Sequence, residues 1–267
     1  MIVFTDLDGT LLEPDTCDHH AALPALAALA ARAVPVVVAT DRTAAEIGPV
    51  LVELKLDTPA IVENGGGVFW PAAPAGPAEA DACYDEIRAC LDALPARLKG
   101  CFAGFGDMDA RRIAALTGLN RARAARASRR GFSEPGLFTG SETQLVALRR
   151  HLAAHGLCAE RHGRFLTVSR GGSKAGRMNA VRALVERRDG RRYWPLVALG
   201  DAEEDREMLE AADYGVVVAN PAHPPLAELD GEREGRVIRT ELPGPMGWNA
   251  AMIEILRRLA GSAEFDA

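Results

Sequence analysis

Ile2-Val3-Phe4-Thr5-Asp6-Leu7-Asp8-Gly9-Thr10-Leu11-Leu12 is the stretch on which the reading of this chain turns. Ile2-Val3-Phe4 is a short β-favouring run that opens directly into an acidic, glycine-containing turn. Side chains two apart on a strand point the same way, so Asp6 and Asp8 can converge on one site. Gly9 lets the backbone turn, and the amides freed around Gly9 and Thr10 can face a phosphate. Two acids this close repel unless a cation or proton intervenes, so a bound Mg²⁺ and one protonated carboxyl are expected. Taken alone, the same residues also read as a plain Asp-Gly turn at the end of a strand.

Outward from this turn, the chain alternates between two periodicities. Residues 21–33 carry a helix pattern with Leu23, Leu26, Leu29 and Ala33 near one face, and Pro24 falls close to the first turn, where it is tolerated. The continuous apolar run from Val34 to Ala39 predicts a strand covered on both faces, as in a parallel sheet, and it ends in Thr40-Asp41. A helix around 43–55, a strand at Ala60-Ile61-Val62 and a turn over Glu63-Asn64-Gly65-Gly66-Gly67 follow. The rhythm returns late: a helix near 174–188, a strand at 195–199 ending in Gly200-Asp201, a helix over 203–212, and strands at 215–218 and 236–238. This alternation predicts an α/β fold with a doubly wound, mostly parallel Rossmann-like core sheet. Its polar residues cluster at strand carboxyl ends, where ligands bind in such sheets. Residues 71–81, rich in Pro, Ala and Gly, read as a linker. From about 82 to 170 come two or three helix patterns and strand candidates at 101–105, 136–139 and 163–169. The expected organisation is therefore core over 1–81, an inserted α+β cap over 82–170, and core again over 171–267.

The composition is that of a soluble globular protein, 48% hydrophobic and 25% charged, in 267 residues that suffice for a large core. A net charge of −6 argues against nucleic-acid binding, which normally needs a basic footprint. The five cysteines are scattered without a C-x-x-C pair, which fits reduced thiols better than a disulfide framework or a zinc site. The first residues show no basic region followed by an apolar one, and no apolar run approaches the roughly 20 residues a bilayer requires. A cytoplasmic protein with no membrane association is expected.

Asp6-Leu7-Asp8-Gly9-Thr10-Leu11 resembles the first signature of the haloacid-dehalogenase-like phosphatases, and the other signatures follow in order. Thr40 stands at the end of the second strand, Lys174 precedes a helix, and Gly200-Asp201-Ala202-Glu203-Glu204-Asp205 is similar to the fourth signature. The resemblance implies that Asp6 attacks phosphorus to form an aspartyl-phosphate. It implies that Asp8 protonates the leaving alkoxide and then deprotonates the hydrolytic water. Mg²⁺ would be held by Asp6, Asp8 through its backbone carbonyl, and Asp201, with Asp205 either a direct ligand or behind the ligands. Thr40 and Lys174 would neutralise the transferring oxygens. Glu204 stands where the family has Asn and Ala202 where it has Ser. The extra carboxylate either adjusts the metal site or faces solvent in a helix first turn, where acids are favoured.

The insertion matches the position of the family's larger, C2-type cap, which serves small soluble substrates by closing over the core. Val62-Glu63-Asn64-Gly65-Gly66, Gly104-Phe105-Gly106-Asp107, Leu116-Thr117-Gly118-Leu119 and Gly244-Pro245-Met246-Gly247-Trp248-Asn249 resemble the mannosyl-3-phosphoglycerate phosphatase family. That resemblance implies a small phosphorylated sugar-acid substrate, with the glucosyl analogue open beside the mannosyl one, and a compatible solute such as mannosylglycerate as product. Such a substrate offers a phosphate, a carboxylate and a polyhydroxylated ring, each needing its own partners. Gly9, Thr10, Arg42, Thr43, Asn64 and Gly65 are expected to bind it, with Arg130, Glu134 and Arg164 contributed by the cap. Arg130, Glu134 and Arg164 each also read as ordinary surface charge. Arg42 replaces the Lys common in relatives, which keeps the cation but not its geometry.

Arg121, Arg123, Arg126, Arg129 and Arg130 form a basic run on an expected cap helix, with Arg123, Arg126 and Arg130 near one face. It reads first as a solvated face and second as a steering field for an anionic substrate. The six histidines show no metal spacing and receive no role. A monomer or weak homodimer is expected. The alternatives to this reading are a phosphosugar phosphatase of other specificity, a phosphomutase, and a phosphoglycoside-binding protein without turnover.

Overall fold

A computed structural model describes residues 1–14, 16–71 and 78–261 of the chain. Most of the linker expected over 71–81 lies outside the described residues. In chain order the first elements are β1 (Ile2–Thr5), α1 (Leu23–Ala31), β2 (Val36–Val38), α2 (Ala44–Glu53), β3 (Ala60–Val62), β4 (Gly67–Phe69) and α3 (Ala78–Asp92). Next come β5 (Phe102–Gly104), α4 (Ala110–Thr117), α5 (Arg121–Ala127), β6 (Ser133–Phe138), α6 (Glu142–Ala153), β7 (Cys158–His162) and β8 (Phe165–Ser169). The chain closes with α7 (Lys174–Asp189), β9 (Leu196–Gly200), α8 (Arg206–Glu210), β10 (Tyr214–Ala219), α9 (Asp230–Arg233), β11 (Val237–Pro243) and α10 (Gly244–Gly261). Two compact units result. The first is Met1–Thr40, Thr58–Ile61 and Ser173–Ala267, and the second is Asp41–Asp57 and Val62–Gly172.

The first unit is an α/β fold around a parallel sheet in the order β11-β10-β9-β1-β2. Every residue of β1, β2 and β9 is buried, which explains why these strands read as continuous rather than alternating apolar runs. From β1 the chain steps outward to β2, and Ala39 bridges Ile61 beyond it. From β9 it steps outward the other way, to β10 and β11. Strand order therefore reverses at the β1–β9 pair, and crevices at such reversals open at the strand carboxyl ends. Asp6 follows β1 and Asp201 follows β9.

One local feature differs from the sequence expectation within this unit. The helix expected over 203–212 is a 3₁₀ turn, Glu203–Asp205, followed by the short α8. The cause is Asp205, whose carboxylate reaches back to accept from the backbone N–H of Asp201 (3.0 Å) and Ala202 (3.2 Å). The Gly244–Asn249 motif opens α10, placing Trp248 fully buried.

The second unit carries an antiparallel sheet in the order β5-β6-β8-β7. The strand expected over 163–169 is the second arm of a hairpin. Its partner β7 was not legible, because Cys158-Ala159-Glu160-Arg161-His162 offers little apolar alternation. Leu166 and Val168 of β8 join Ile87 and Leu91 from α3, Leu94 just beyond that helix, and Leu145, Leu148 and Leu152 from α6 in one core. Phe165, on the opposite face by strand alternation, packs against Phe105, Ile113 and Ala124. Helix α2 begins at Thr43, whose hydroxyl accepts from Glu46 N–H while the Glu46 carboxylate accepts from Thr43 N–H, a reciprocal capping box. Helix α5 ends at Ala127, so Arg130 does not share its face with Arg123 and Arg126; it sits in the lead-in to β6, held by Glu63 and Ser133. Among the described residues no helix is long and apolar enough to cross a membrane.

Candidate active site

The carboxyl ends of β1 and β9 bring four buried ionisable groups together in the first unit. Lys174, the first residue of α7, is almost fully buried, and its Nζ donates to Asp6 Oδ1 at 2.6 Å and to Asp205 Oδ1 at 2.7 Å. Ser173 fixes the start of that helix, its hydroxyl accepting from Gly176 N–H at 3.2 Å. Asp201 completes the cluster: one carboxylate oxygen each from Asp6, Asp201 and Asp205 lies within 4.8 Å of the others.

Each carboxylate is engaged differently. Asp205 accepts from Lys174 and from two backbone amides, which occupies three of its roughly four lone-pair sites. Asp201 accepts from Thr10 Oγ1 (2.5 Å), Asn220 Nδ2 (2.8 Å) and His223 Nε2 (2.8 Å). Asp6 accepts only from Lys174 among the described side chains, leaving its second oxygen the least committed of the six. Asp6 is braced from beneath. Trp248 Nε1 donates to Thr5 Oγ1 at 3.0 Å, and Thr5 Oγ1 donates to the Asp6 carbonyl at 2.7 Å.

The electrostatics follow from burial and from an unequal charge count. Burial pushes the Asp6 carboxyl well above its usual range; Lys174 pulls it down, while Asp205 and Asp201 push it up again. Burial alone would lower Lys174, but the carboxylates of Asp205 and Asp6 outweigh it and hold the ammonium charged. Three acids against one ammonium leave an excess of negative charge that a further cation would relieve. The donors are all carboxylate oxygens, the chemistry that suits a hard cation such as Mg²⁺. The residues present therefore fit such a metal.

Gly9 has φ +85°, which favours glycine, and a Cβ there would fall 2.1 Å from Asn220 Nδ2 and displace that side chain from Asp201. Asp8 is half-buried one turn beyond β1 and lies outside the carboxylate cluster. Thr10 is fully buried, and its hydroxyl points to Asp201. Thr40 is buried at the end of β2, its N–H donating to Ile61 C=O at 2.9 Å. Glu204 is exposed on the 3₁₀ turn. Asn220 and His223 carried no sequence signal beyond an Asn-Pro turn and an isolated histidine. They join Asp201, Leu226, Arg239 and Thr240 around a pocket of about 470 Å³.

The remaining expected binding residues belong to the second unit. Arg42 is buried, and Thr43 is committed to its capping box and to Arg126 C=O at 3.1 Å. Glu63, Asn64 and Gly65 all have positive φ (52°, 55° and 91°), a run that only a well-braced turn sustains. The brace is Glu63, whose carboxylate accepts from Gly131 N–H (2.8 Å), Phe132 N–H (3.1 Å) and Ser133 Oγ (2.6 Å) and pairs with Arg130 (3.2 Å). Asn64 Oδ1 is buried with no hydrogen-bond partner among the described residues. Glu134 is fully buried, accepting from Tyr84 O–H at 2.5 Å and Gly106 N–H at 2.8 Å. Arg164 is exposed and donates to Leu116 C=O at 2.9 Å. Neither Glu63 as a hub nor the Tyr84–Glu134 pair was predicted, since both depend on residues 50 to 70 positions apart.

A family model for haloacid dehalogenase-like hydrolases matches residues 3–73. A curated relative from Methanococcoides burtonii, named glucosyl-3-phosphoglycerate/mannosyl-3-phosphoglycerate phosphatase, is 31% identical over 96% of this chain and 97% of its own. A relative of the same name from Persephonella marina is also 31% identical, over 97% and 98%. Among solved structures, the sucrose-phosphatase of Synechocystis in complex with sucrose and phosphate shares the fold, with a TM-score of 0.56, 15% identity, and coverage of 100% and 98%. The ordered acids, the buried lysine and an identity running the length of both relatives have one consequence: the chain belongs to the haloacid dehalogenase-like phosphatases, in the family of glucosyl-3-phosphoglycerate/mannosyl-3-phosphoglycerate phosphatases.

Proposed function

We propose that this phosphatase hydrolyses a glycosyl-3-phosphoglycerate, mannosyl or glucosyl, to the glycosylglycerate and inorganic phosphate through an aspartyl-phosphate on Asp6. The observation that carries the chemistry is the buried Asp6 carboxylate, anchored through one oxygen by Lys174 and through its backbone by Thr5 and Trp248. A carboxylate held this way presents its other oxygen without reorganisation, which favours nucleophilic attack. The new bond joins that oxygen to phosphorus as the bond from phosphorus to the glycerate oxygen breaks. Asp8 gives its proton to the departing alkoxide, then takes one from the water that attacks the aspartyl-phosphate and restores Asp6. Thr40 and Lys174 bind the transferring phosphoryl oxygens.

Asp6, Asp201 and the Asp8 carbonyl would hold Mg²⁺, with Asp205 bracing the Asp201 turn. Bound there, the cation would offset negative charge on the phosphoryl group. For the substrate, the relatives' names support the glycosyl-3-phosphoglycerate class. Gly9, Thr10, Arg42, Thr43, Asn64, Gly65, Arg130, Glu134 and Arg164 are its proposed contacts. Asn64 is favoured by its buried oxygen, unpartnered among the described residues, which would accept from a sugar hydroxyl.

The test is phosphate release from mannosyl-, glucosyl- and unglycosylated 3-phosphoglycerate with Mg²⁺, beside Asp6→Asn. Turnover of a glycosylated substrate, absent in Asp6→Asn, is expected. Turnover confined to other phosphosugars would overturn the substrate, and activity in Asp6→Asn would overturn the nucleophile.

A further inference from the structure

The histidines receive no role from their spacing along the chain, yet the second unit brings Cys90, His151 and His155 together. One donor atom from each lies within 4.8 Å of the other two. We propose that these side chains form a second metal site, for a borderline-soft ion such as Zn²⁺, that clips α3 to the C-terminal end of α6.

The local structure explains the convergence. His151 lies in the last turn of α6. Beyond the end of that helix, His155 N–H donates to Leu152 C=O at 2.9 Å, and Gly156, at φ +70°, donates to Ala153 C=O at 3.1 Å. This closing turn keeps His155 four residues on and on the same side as His151, with ring centroids 4.8 Å apart. Cys90 comes from the buried face of α3, in the same core as Leu148 and Leu152.

Two details point to a ligand rather than to packing. His155 Nδ1 lies 2.9 Å from the His151 carbonyl, which can only accept. The proton of a neutral His155 ring therefore sits on Nδ1 and the lone pair on Nε2, the arrangement found where a backbone carbonyl orients a metal-binding imidazole. His151 Nε2 is buried and has no hydrogen-bond partner among the described residues, a costly state for a polar atom that a metal bond would relieve. A favourable interaction with the α6 dipole accounts for histidines at a helix C-terminus. It accounts neither for that orphaned nitrogen nor for the thiol beside it.

Tetrahedral zinc, with bonds of about 2.0–2.3 Å, sets its ligands about 3.5 Å apart. His155 is exposed, so a small shift of its ring that keeps the Nδ1 bond to the His151 carbonyl would close that distance, and a water would supply the fourth ligand from the solvent side. The Cys/His₂ set is softer than the all-carboxylate cluster of the first unit, so the two sites would sort metals by chemistry.

The experiment uses the full chain, stripped with a chelator and titrated with Zn²⁺ against a chromophoric indicator in excess Mg²⁺. One tight equivalent is expected, weakened in Cys90→Ser and in His155→Gln by at least about the tenfold that loss of an outer partner alone typically costs. Co²⁺ in place of Zn²⁺ is expected to give a thiolate charge-transfer band that Cys90→Ser abolishes and Asp201→Asn retains. His155 is exposed, so His155→Gln keeps the test valid should Cys90→Ser fail to fold. Zn²⁺ affinity unchanged in His155→Gln, no thiolate band, or binding lost only in Asp201→Asn would each overturn the proposal. None of these readouts depends on phosphatase activity or on the substrate class.

Discussion

Replacing Lys174 by methionine, similar in length but uncharged, tests the reading of the first unit as a site organised around one buried cation. Lys174 Nζ sits 2.6 Å from Asp6 and 2.7 Å from Asp205. At an effective dielectric constant of about 20, each pair attracts by about 6 kcal/mol. In the variant the two carboxylates, within 4.8 Å of each other, can relieve their repulsion by taking up a proton, which recovers part of this. Desolvation of the ammonium offsets several kcal/mol more, so the expected net loss is about 3–5 kcal/mol, the range found when one partner of a buried ion pair is removed. At about 2–4 °C per kcal/mol for a chain of this size, melting should fall by roughly 6–20 °C. The assay is a thermal melt in chelator, followed by tryptophan fluorescence, because the buried Trp248 belongs to the first unit and reports on it. Chelator removes any contribution from metal binding. Asp205→Asn supplies the second arm of a double-mutant cycle, with an expected coupling of about 1–3 kcal/mol. A Lys174→Met melt within about 2 °C of the parent, a shift worth less than about 1 kcal/mol, would falsify the ion-pair account, as would strict additivity with Asp205→Asn.

Two further predictions concern the other buried donors and acids. Burial pushes Glu134 above the ordinary 4.5, more than Tyr84, Gly106 N–H and Arg88 pull it down. A carboxyl raised in the folded state binds protons there first, so its stabilising contribution is fully present below the ordinary glutamate range and is lost as pH rises through the folded value. Burial also acts to raise its neighbour Asp107, but Arg88 and Gly104 N–H leave it below 3.8, so its contribution disappears only at still lower pH. The calorimetric transition of the second unit should therefore move up as pH falls from 7 towards the ordinary glutamate value, and Glu134→Gln should flatten that slope. A parent slope of opposite sign in that window would contradict the assignment. Separately, Trp248→Phe removes the donor to Thr5 Oγ1 beneath Asp6. It should cost about 1–3 kcal/mol in urea unfolding, and an unchanged midpoint would show that the Thr5 hydroxyl needs no such partner.

The plan of the first unit and the charged residues of its site were legible from the order of residues alone. Ile2–Thr5, Val36–Val38 and Leu196–Gly200 are buried on both faces, so their apolar runs could be read directly as parallel strands. The acids at their carboxyl ends follow because a charged residue can end such a run but not interrupt it. Long-range packing sets which partners those acids keep. Asp205 took its place only when its carboxylate met both Lys174 and the amides of its own turn. Asn220 and His223 became partners of Asp201 only because β10 lies beside β9. In the second unit, the hub at Glu63 and the meeting of Cys90 with His151 and His155 join segments about 60 residues or more apart. Local periodicity fixes which face of an element is apolar, while long-range packing fixes which polar groups must satisfy one another. The second kind of information leaves no pattern in a single chain of residues.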